Sequence, residues 1–204
     1  MELLDYTKAH ALLTKYAIRS VESKYVTSAK DAVAFSRGKP IVMKVISQKA
    51  LHKSKNKLVA LNLISPKEIE SNYNELKKRA QQFRPYKILA QQMVKNGLEI
   101  IIGGKIDQQF GKMILIGLGG IYVETFKDFA LRVCPITRHD AESMLQQLKS
   151  RSIIAPNAQA ASNIMDLILK VSKMYEENNI QELDLNPVIL HDNTYDAVDL
   201  RIIK

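Results

Sequence analysis

Apolar residues recur near helical spacing over residues 5–16 (Ala9, Leu12, Leu13, Tyr16), which predicts a short amphipathic helix. Residues 24–27 then read as a brief strand, and Ser28 as the N-cap of a helix through Phe35. Gly38-Lys39-Pro40 breaks that helix, and Ile41-Val42-Met43-Lys44-Val45 follows as a β-prone strand. After a polar, Lys-rich loop, 57–63 reads as another strand. Ser65-Pro66-Lys67-Glu68 opens a helix that runs to about Arg84, with Ser65 as its N-cap and Pro66 in its first position.

The middle third is strand-rich: apolar runs at 88–94, 98–105 and 112–118, with turns at Asn96-Gly97 and 107–111, and a fourth run at 128–133. Helices are predicted over 140–150, capped by Thr137, and over 162–178. A strand at 182–190, a turn at His191-Asp192-Asn193 and a strand at 195–203 end the chain. The pattern is α+β, with antiparallel hairpins flanked by helices. With no internal repeat and no long linker, it favours one two-lobed unit over two independent domains.

Composition narrows the function classes. The chain has 204 residues, 46% hydrophobic and 25% charged, enough for a real core. Its apolar runs are strand-length, short of the ~20 residues that span a bilayer. The mixed segment Met1-Glu2-Leu3-Leu4-Asp5-Tyr6 lacks the apolar region of a signal peptide, so a cytoplasmic protein is expected. Cys134 is the single cysteine, which excludes an intrachain disulfide. The net charge of +9 suits polyanionic partners, either nucleic acid or phosphate-rich small molecules. The basic residues are dispersed and form no recognised nucleic-acid-reading motif.

Four clusters could carry chemistry. Lys44 interrupts an apolar strand, so its ammonium should meet an anion if buried. Periodicity alone favours the plainer alternative, an edge-strand lysine reaching solvent. His52 lies in Leu51-His52-Lys53-Ser54, where lysines would attract a phosphoryl group to a nucleophilic imidazole. An ordinary surface histidine reads the same way. Gly117-Leu118-Gly119-Gly120 follows a strand and precedes Glu124; such glycines let backbone N–H groups approach phosphate, as they also serve any tight turn. Finally, Asp184 and Asn186 share a strand face in Glu182-Leu183-Asp184-Leu185-Asn186-Pro187, and Asp199 could return beside them from the next strand. Oxygen donors of this kind suit Mg²⁺, and a solvated polar face is the alternative.

Taken in order, these strings resemble the ATP-grasp domain of the beta subunit of NDP-forming acyl-CoA synthetases of the ADP-forming acetate–CoA ligase type. Succinyl-CoA synthetase is a more distant relative. The resemblance runs from Tyr16-Ala17-Ile18 through Val42 to Ser47, Leu51-His52-Lys53-Ser54, Asp107-Gln108-Gln109-Phe110-Gly111 and Gly117 to Glu124. It closes on Glu182 to Val188 and Ala197-Val198-Asp199.

It implies two α+β lobes enclosing a nucleotide, approximately 1–20 plus 95–204, and 21–94, within a single ATP-grasp domain. It implies ATP/ADP and Mg²⁺ as cofactors and a separate CoA-binding alpha subunit carrying the first phosphohistidine. By the same resemblance Lys44 contacts nucleotide phosphates, Gln92, Met93 and Val94 form the hinge beside adenine, and Glu99 takes the ribose. Gly119 and Gly120 border the phosphates, Asn186 and Asp199 bind metal, and Glu124 is a further acidic member. Asp184 supports the phosphohistidine, and His52 is a second phosphoryl carrier on the way to ADP.

Three positions depart from the family pattern. Lys55-Asn56-Lys57-Leu58 replaces an acidic residue and a glycine pair after His-Lys-Ser, Gln92 replaces a glutamate, and Ala17 and Arg19 replace a glycine and a proline. Two other readings stay open on the sequence: a degenerate, nucleotide-sensing paralogue, and a basic nucleic-acid-binding protein.

Overall fold

The computed structural model describes residues 2–47, 49, 57–94, 97–120 and 128–204. The chain divides into two compact units, Val21–Lys95 and Met1–Ser20 with Asn96–Lys204.

The smaller unit holds β1 (Ser23–Val26), α2 (Ala29–Ser36), β2 (Ile41–Ile46), β3 (Val59–Leu63), α3 (Pro66–Ala80) and β4 (Lys87–Gln92). Its strands form an antiparallel sheet in the order β1-β4-β2-β3. Ile41, Met43 and Val45 of β2 are fully buried and cluster with Ala32 and Phe35 of α2 and Ile69, Tyr73 and Leu76 of α3. By strand alternation Lys44 takes the opposite face. The two helices start where the sequence says they should. The Ser28 hydroxyl accepts the Asp31 N–H, while Ser65 and Glu68 close a reciprocal capping box behind Pro66. The second helix ends at Ala80, short of Arg84, and a 3₁₀ turn at Gln81–Phe83 follows it.

The larger unit begins with α1 (Tyr6–Lys15) and continues with β5 (Leu98–Asp107), β6 (Gly111–Leu118), β7 (Phe129–Val133), α4 (Arg138–Gln147), α5 (Arg151–Ile154) and α6 (Ala158–Glu177). It ends with β8 (Glu182–His191), β9 (Thr194–Ala197) and β10 (Leu200–Ile203). The six-stranded sheet is antiparallel in the order β10-β8-β5-β6-β7, with β9 also pairing β8. One face is core: Ile100, Ile102, Ile114 and Ile116 pack with Leu167, Val171 and Met174 of α6. Lys112 ties that helix down, its ammonium donating to the carbonyls of Tyr175, Glu176 and Asn178 at 2.6, 3.1 and 3.1 Å. A cation suits this end of a helix, where the unpaired carbonyls gather.

Helix α1 closes in a Schellman turn. Ala17 donates to the Thr14 carbonyl and Ile18 to that of Leu13, both at 3.0 Å, with Ala17 at φ +52°. This is one of the two departures at this turn, the one where the family pattern carries glycine. At the other, Arg19 reaches the buried Asp196 carboxylate through Nε and Nη2 at 3.2 and 3.3 Å. A proline could not make that ion pair.

Two expectations need correction. The last segment is two strands, because Val198 and Asp199 interrupt it where β8 bulges, and α6 starts at Ala158 under an Asn157 cap. The register makes the bulge plain: Ile100 pairs Val188 and Ile102 pairs Leu185, so Asn186 and Pro187 together oppose Ile101.

Candidate functional site

In the smaller unit, β2 lies between β4 and β3, so Lys44 is on an inner strand, and only 4% of it is exposed. The edge-strand alternative is thereby overturned. Lys44 stands directly across from Leu89 of β4 and Val59 of β3. A buried ammonium on the sheet face opposite α2 and α3 is suited to an anionic ligand.

The strand following Leu89 leads to Gln92, Met93 and Val94. The N–H groups of Gln92 and Met93 donate to the carbonyls of Glu22 and Pro40, both at 3.0 Å. The Gln92 side-chain amide donates to the Phe35 carbonyl at 3.1 Å. Gln92 therefore spends its side chain anchoring α2, and its departure from glutamate is absorbed there.

In the larger unit, Glu99 on β5 and the glycines after β6 meet. Gly119 donates its N–H to the Glu99 carbonyl at 2.7 Å, and a Cβ at Gly119 would fall 2.9 Å from that same carbonyl. Gly120, at φ +67°, lies so close to Glu99 that a Cβ there would be 2.9 Å from Oε2. Both positions demand glycine, one for close approach and one for a left-handed backbone as well.

The register lays out the sheet face opposite α6 in rows, since directly opposed residues share a face. One row runs Arg201–Asp184–Gly103–Leu115–Leu131, and the next Glu182–Lys105–Met113–Val133. A third runs from the Asn186–Pro187 bulge through Ile101 and Gly117 to Phe129. The bulge also brings in Asp199: the Asn186 N–H donates to the Asp199 carbonyl at 3.2 Å, and the Val198 N–H to the Pro187 carbonyl at 3.0 Å.

Burial pushes the Asp184 carboxyl above its ordinary range; Arg201 pulls it down, while Asp199 and Glu182 add to the rise. Arg201 also holds Glu182 at 2.9 Å. Asp184, Asn186 and Asp199 thus gather as the sequence reading expected, and Arg201 and Glu182 join them. Arg201 could have been found from its place two residues beyond Asp199 in the same alternation.

The donor set fits Mg²⁺. Asn186 and Asp199 offer hard oxygens, although among the described residues no three acidic, His or Cys side chains gather to hold a metal by themselves. Water and phosphate oxygens would complete the coordination, as Mg²⁺ prefers. His52 and Glu124 lie outside the described residues.

One positioning residue escaped the sequence reading. Asp128, 8% exposed, accepts the N–H groups of Lys149 and Ser150, both at 2.8 Å, and its carbonyl receives the Leu118 N–H at 3.1 Å. It ties the end of the glycine-bearing strand to the chain after α4. An aspartate opening the apolar run predicted at 128–133 was its only signal.

Residues 1–203 match the family described as the ATP-grasp domain. The chain is 37% identical over 215 residues to the acetate–CoA ligase [ADP-forming] II subunit beta of Pyrococcus furiosus, covering 98% of this chain and 91% of that one. Among solved structures it resembles a dinucleotide-forming acetyl-coenzyme A synthetase 1 of Ca. Korarchaeum cryptofilum, in complex with coenzyme A, Ca-AMPCP and HgCl+. Identity is 34%, the TM-score is 0.89, and 99% of this chain and 93% of that one are covered. A second structure of that enzyme holds coenzyme A and Mg-AMPPCP, with its phosphohistidine segment pointing towards the nucleotide binding site. It gives 33% identity and a TM-score of 0.84, over 98% and 92% of the two chains.

Proposed function

We infer, since the chain belongs to the ATP-grasp domain family, that it is the nucleotide-binding subunit of an ADP-forming acyl-CoA synthetase. The reaction is acyl-CoA, ADP and phosphate to carboxylic acid, CoA and ATP. The two compact units act as one ATP-grasp domain. A separate alpha subunit binds CoA and carries the first phosphohistidine.

The observation that supports this reading best is the meeting of Asn186 and Asp199 at the β8 bulge, one step along the face from Asp184. Asn186 and Asp199 hold Mg²⁺, which when bound neutralises phosphate charge. Glu99, set against Gly119 and Gly120, takes the ribose hydroxyls, and, with the Gly119 N–H bonded to the Glu99 carbonyl, the Gly120 N–H borders the phosphates. In the smaller unit Lys44 supplies a fixed positive charge to the phosphates. With the N–H groups of Gln92 and Met93 already bonded, the hinge N–H that meets adenine is that of Val94.

Asp184 accepts the N–H of a phosphohistidine ring and orients it. The N–P bond of that histidine breaks as an imidazole nitrogen of His52 takes the phosphoryl group, and the N–P bond on His52 breaks in turn as a β-phosphate oxygen of ADP forms the new P–O bond; positioning and charge neutralisation do most of the work. His52 acts as the intermediate carrier, and Glu124 as a further acidic group beside the metal. A cytoplasmic location suits this chemistry. Among the described residues no helix is long and apolar enough to cross a membrane.

The test is ATP synthesis from acyl-CoA, ADP and phosphate by the chain co-purified with its partner. ATP formed by the complex and by neither chain alone is expected. Mg–ADP binding without any turnover across a panel of acyl-CoAs would overturn the assignment in favour of a nucleotide sensor.

A further inference from the structure

The basic residues are dispersed in the sequence, but the fold gathers them. The smaller unit, Val21–Lys95, carries 16 basic against 5 acidic side chains, a net charge of +11. The rest of the chain carries 14 against 16, a net charge of −2, and the two make the +9 of the whole. Within the smaller unit the crowding is densest where β2 ends and β3 and β4 begin. There the Ser47 hydroxyl accepts the Lys49 N–H at 3.2 Å and donates to the Phe83 carbonyl at 2.6 Å, while Arg79 donates through Nη1 to the Lys57 carbonyl at 2.9 Å. Lys77 and Lys78 lie in the last turn of α3, and Lys87 stands across from Ile46. Six exposed cations, Lys49, Lys57, Lys77, Lys78, Arg84 and Lys87, therefore share one end of the unit. Two carboxylates nearby, Glu75 and Asp31, are already held by Arg79 and Lys24.

Like charges packed this closely repel one another and destabilise the unit that holds them, and a bound polyanion relieves the repulsion. Number and chemistry identify the polyanion. A single nucleotide carries too few phosphates to engage six cations, whereas a chain of phosphates can meet them all. The segment Phe83-Arg84-Pro85-Tyr86-Lys87 also sets rings among the cations, and Phe83 and Tyr86 are half-buried. Tyr86 is fixed through its hydroxyl, which donates to the Lys77 carbonyl at 3.4 Å and accepts from the Gln81 amide at 2.9 Å. Rings held beside lysines suit unpaired bases, whose faces stack on aromatic side chains while the backbone meets the charges. An acidic peptide would use the cations and leave the rings idle, and a duplex would keep the faces of its bases hidden.

We propose that this end of the smaller unit binds single-stranded nucleic acid, with phosphates on the six cations and bases against Phe83 and Tyr86. Recognition is by charge and stacking without readout of base edges, so it tolerates sequence. The proposal goes beyond the acyl-CoA synthetase reading and does not depend on it. None of the residues assigned to the nucleotide, the metal or phosphoryl transfer is among these.

The experiment is fluorescence anisotropy with a labelled single-stranded oligonucleotide, its duplex and inorganic polyphosphate as competitors, on the full chain co-purified with its partner. The single strand should be preferred to the duplex, and the logarithm of its affinity should fall with that of salt at a slope of about −4 when all six cations engage. Lys77→Glu with Lys78→Glu should weaken binding by roughly tenfold or more and flatten the slope by about 1.4, the share of two phosphates. Lys39→Glu with Lys67→Glu makes the same change of charge at exposed positions at the opposite end of the unit, and should bind within about threefold of wild type at moderate salt. Tyr86→Leu keeps an apolar side chain but no ring, and should weaken the single strand roughly tenfold while polyphosphate binds within about twofold of wild type. No salt-dependent binding, or equal losses from the two charge reversals, would overturn the proposal. So would a Tyr86→Leu variant that binds the single strand like wild type, because the occupant would then be any phosphate polymer. Loss of the partner subunit from the Lys77→Glu, Lys78→Glu complex with oligonucleotide binding intact would give the patch to an acidic protein surface instead. ATP synthesis by the same samples is the separate measure of the functional reading: its absence in the wild type would sink that reading and leave this one standing.

Discussion

The Asn186 N–H donates to the Asp199 carbonyl at 3.2 Å across the one place where β8 loses its regular register. Two residues thirteen apart in sequence are thereby fixed side by side. Asn186→Ala or Asp199→Ala should abolish the Mg²⁺ dependence of ADP binding and leave the fold intact, because the backbone bond does not need either side chain. Calorimetric titration with Mg–ADP, and with ADP in chelator, checks this. Wild-type Mg²⁺ dependence in both variants would move the metal elsewhere.

Lys44→Ala should weaken Mg–nucleotide binding about tenfold to a hundredfold, the loss of one charged contact to phosphate. Lys39→Ala, in the exposed turn before β2, should bind like wild type. Equal affinities for the two variants would remove Lys44 from the site.

These two predictions draw on opposite degrees of legibility. Caps and breaks were readable because Ser28, Ser65-Pro66 and Thr137 act locally, and the structure puts a cap at each. The pairing of Asp184, Asn186 and Asp199 was readable from strand alternation and a return turn. Lys44 was not, because nothing local distinguishes an inner strand from an edge strand; sheet order decides it. Arg19 with Asp196, and Asp128 with Lys149 and Ser150, were hidden for the same reason, since their partners lie far away in sequence. The first turn of α6 was missed because Asn157 caps it four residues before Ala161, the last residue ahead of the predicted start.

Ala17→Gly should stabilise the larger unit by about 1 kcal/mol. An L-residue in the left-handed region costs roughly 1–2 kcal/mol, and the greater freedom of glycine in the unfolded chain returns part of that. The urea midpoint should rise with an unchanged slope. A fall would mean that the Ala17 methyl makes contacts worth more than the strain.

Asp128 should make stability depend on acidity. Burial works to raise its carboxyl, but the N–H groups of Lys149 and Ser150 outweigh that and hold it below the ordinary range. Its contribution is therefore complete above the unfolded-state value of about 4 and is lost as pH falls through the lower folded value. Asp128→Asn should cost on the order of 1–3 kcal/mol at neutral pH. The gap from wild type should narrow on acidification, as followed by chemical unfolding at a series of pH values. A gap independent of pH would assign the loss to packing.

His52→Ala should stop phosphate reaching ADP while leaving Mg–ADP affinity within about twofold, since a carrier serves transfer and Lys44 and the metal serve binding. With acyl-CoA and labelled phosphate, acid-labile and base-stable label should appear on both chains of the wild type and only on the partner of the variant. Full turnover by His52→Ala would establish direct transfer from the partner's histidine and leave the basic residues around position 52 to attract phosphate.

The bulge at Asn186 and Pro187 gives β8 two phases. Before it, the odd positions Leu183 and Leu185 are buried; after it, Val188 takes the inward place and the even positions follow. A mutagenesis library built on strict alternation would vary solvent-facing sites in the first half of the strand and core sites in the second. A one-residue deletion at the bulge would keep Leu185 opposite Ile102 and Val188 opposite Ile100 with a single residue between them, so the core face would survive while the irregularity that brings Asn186 to Asp199 is lost. The site can accept new side chains on its rows, but its spacing cannot be edited.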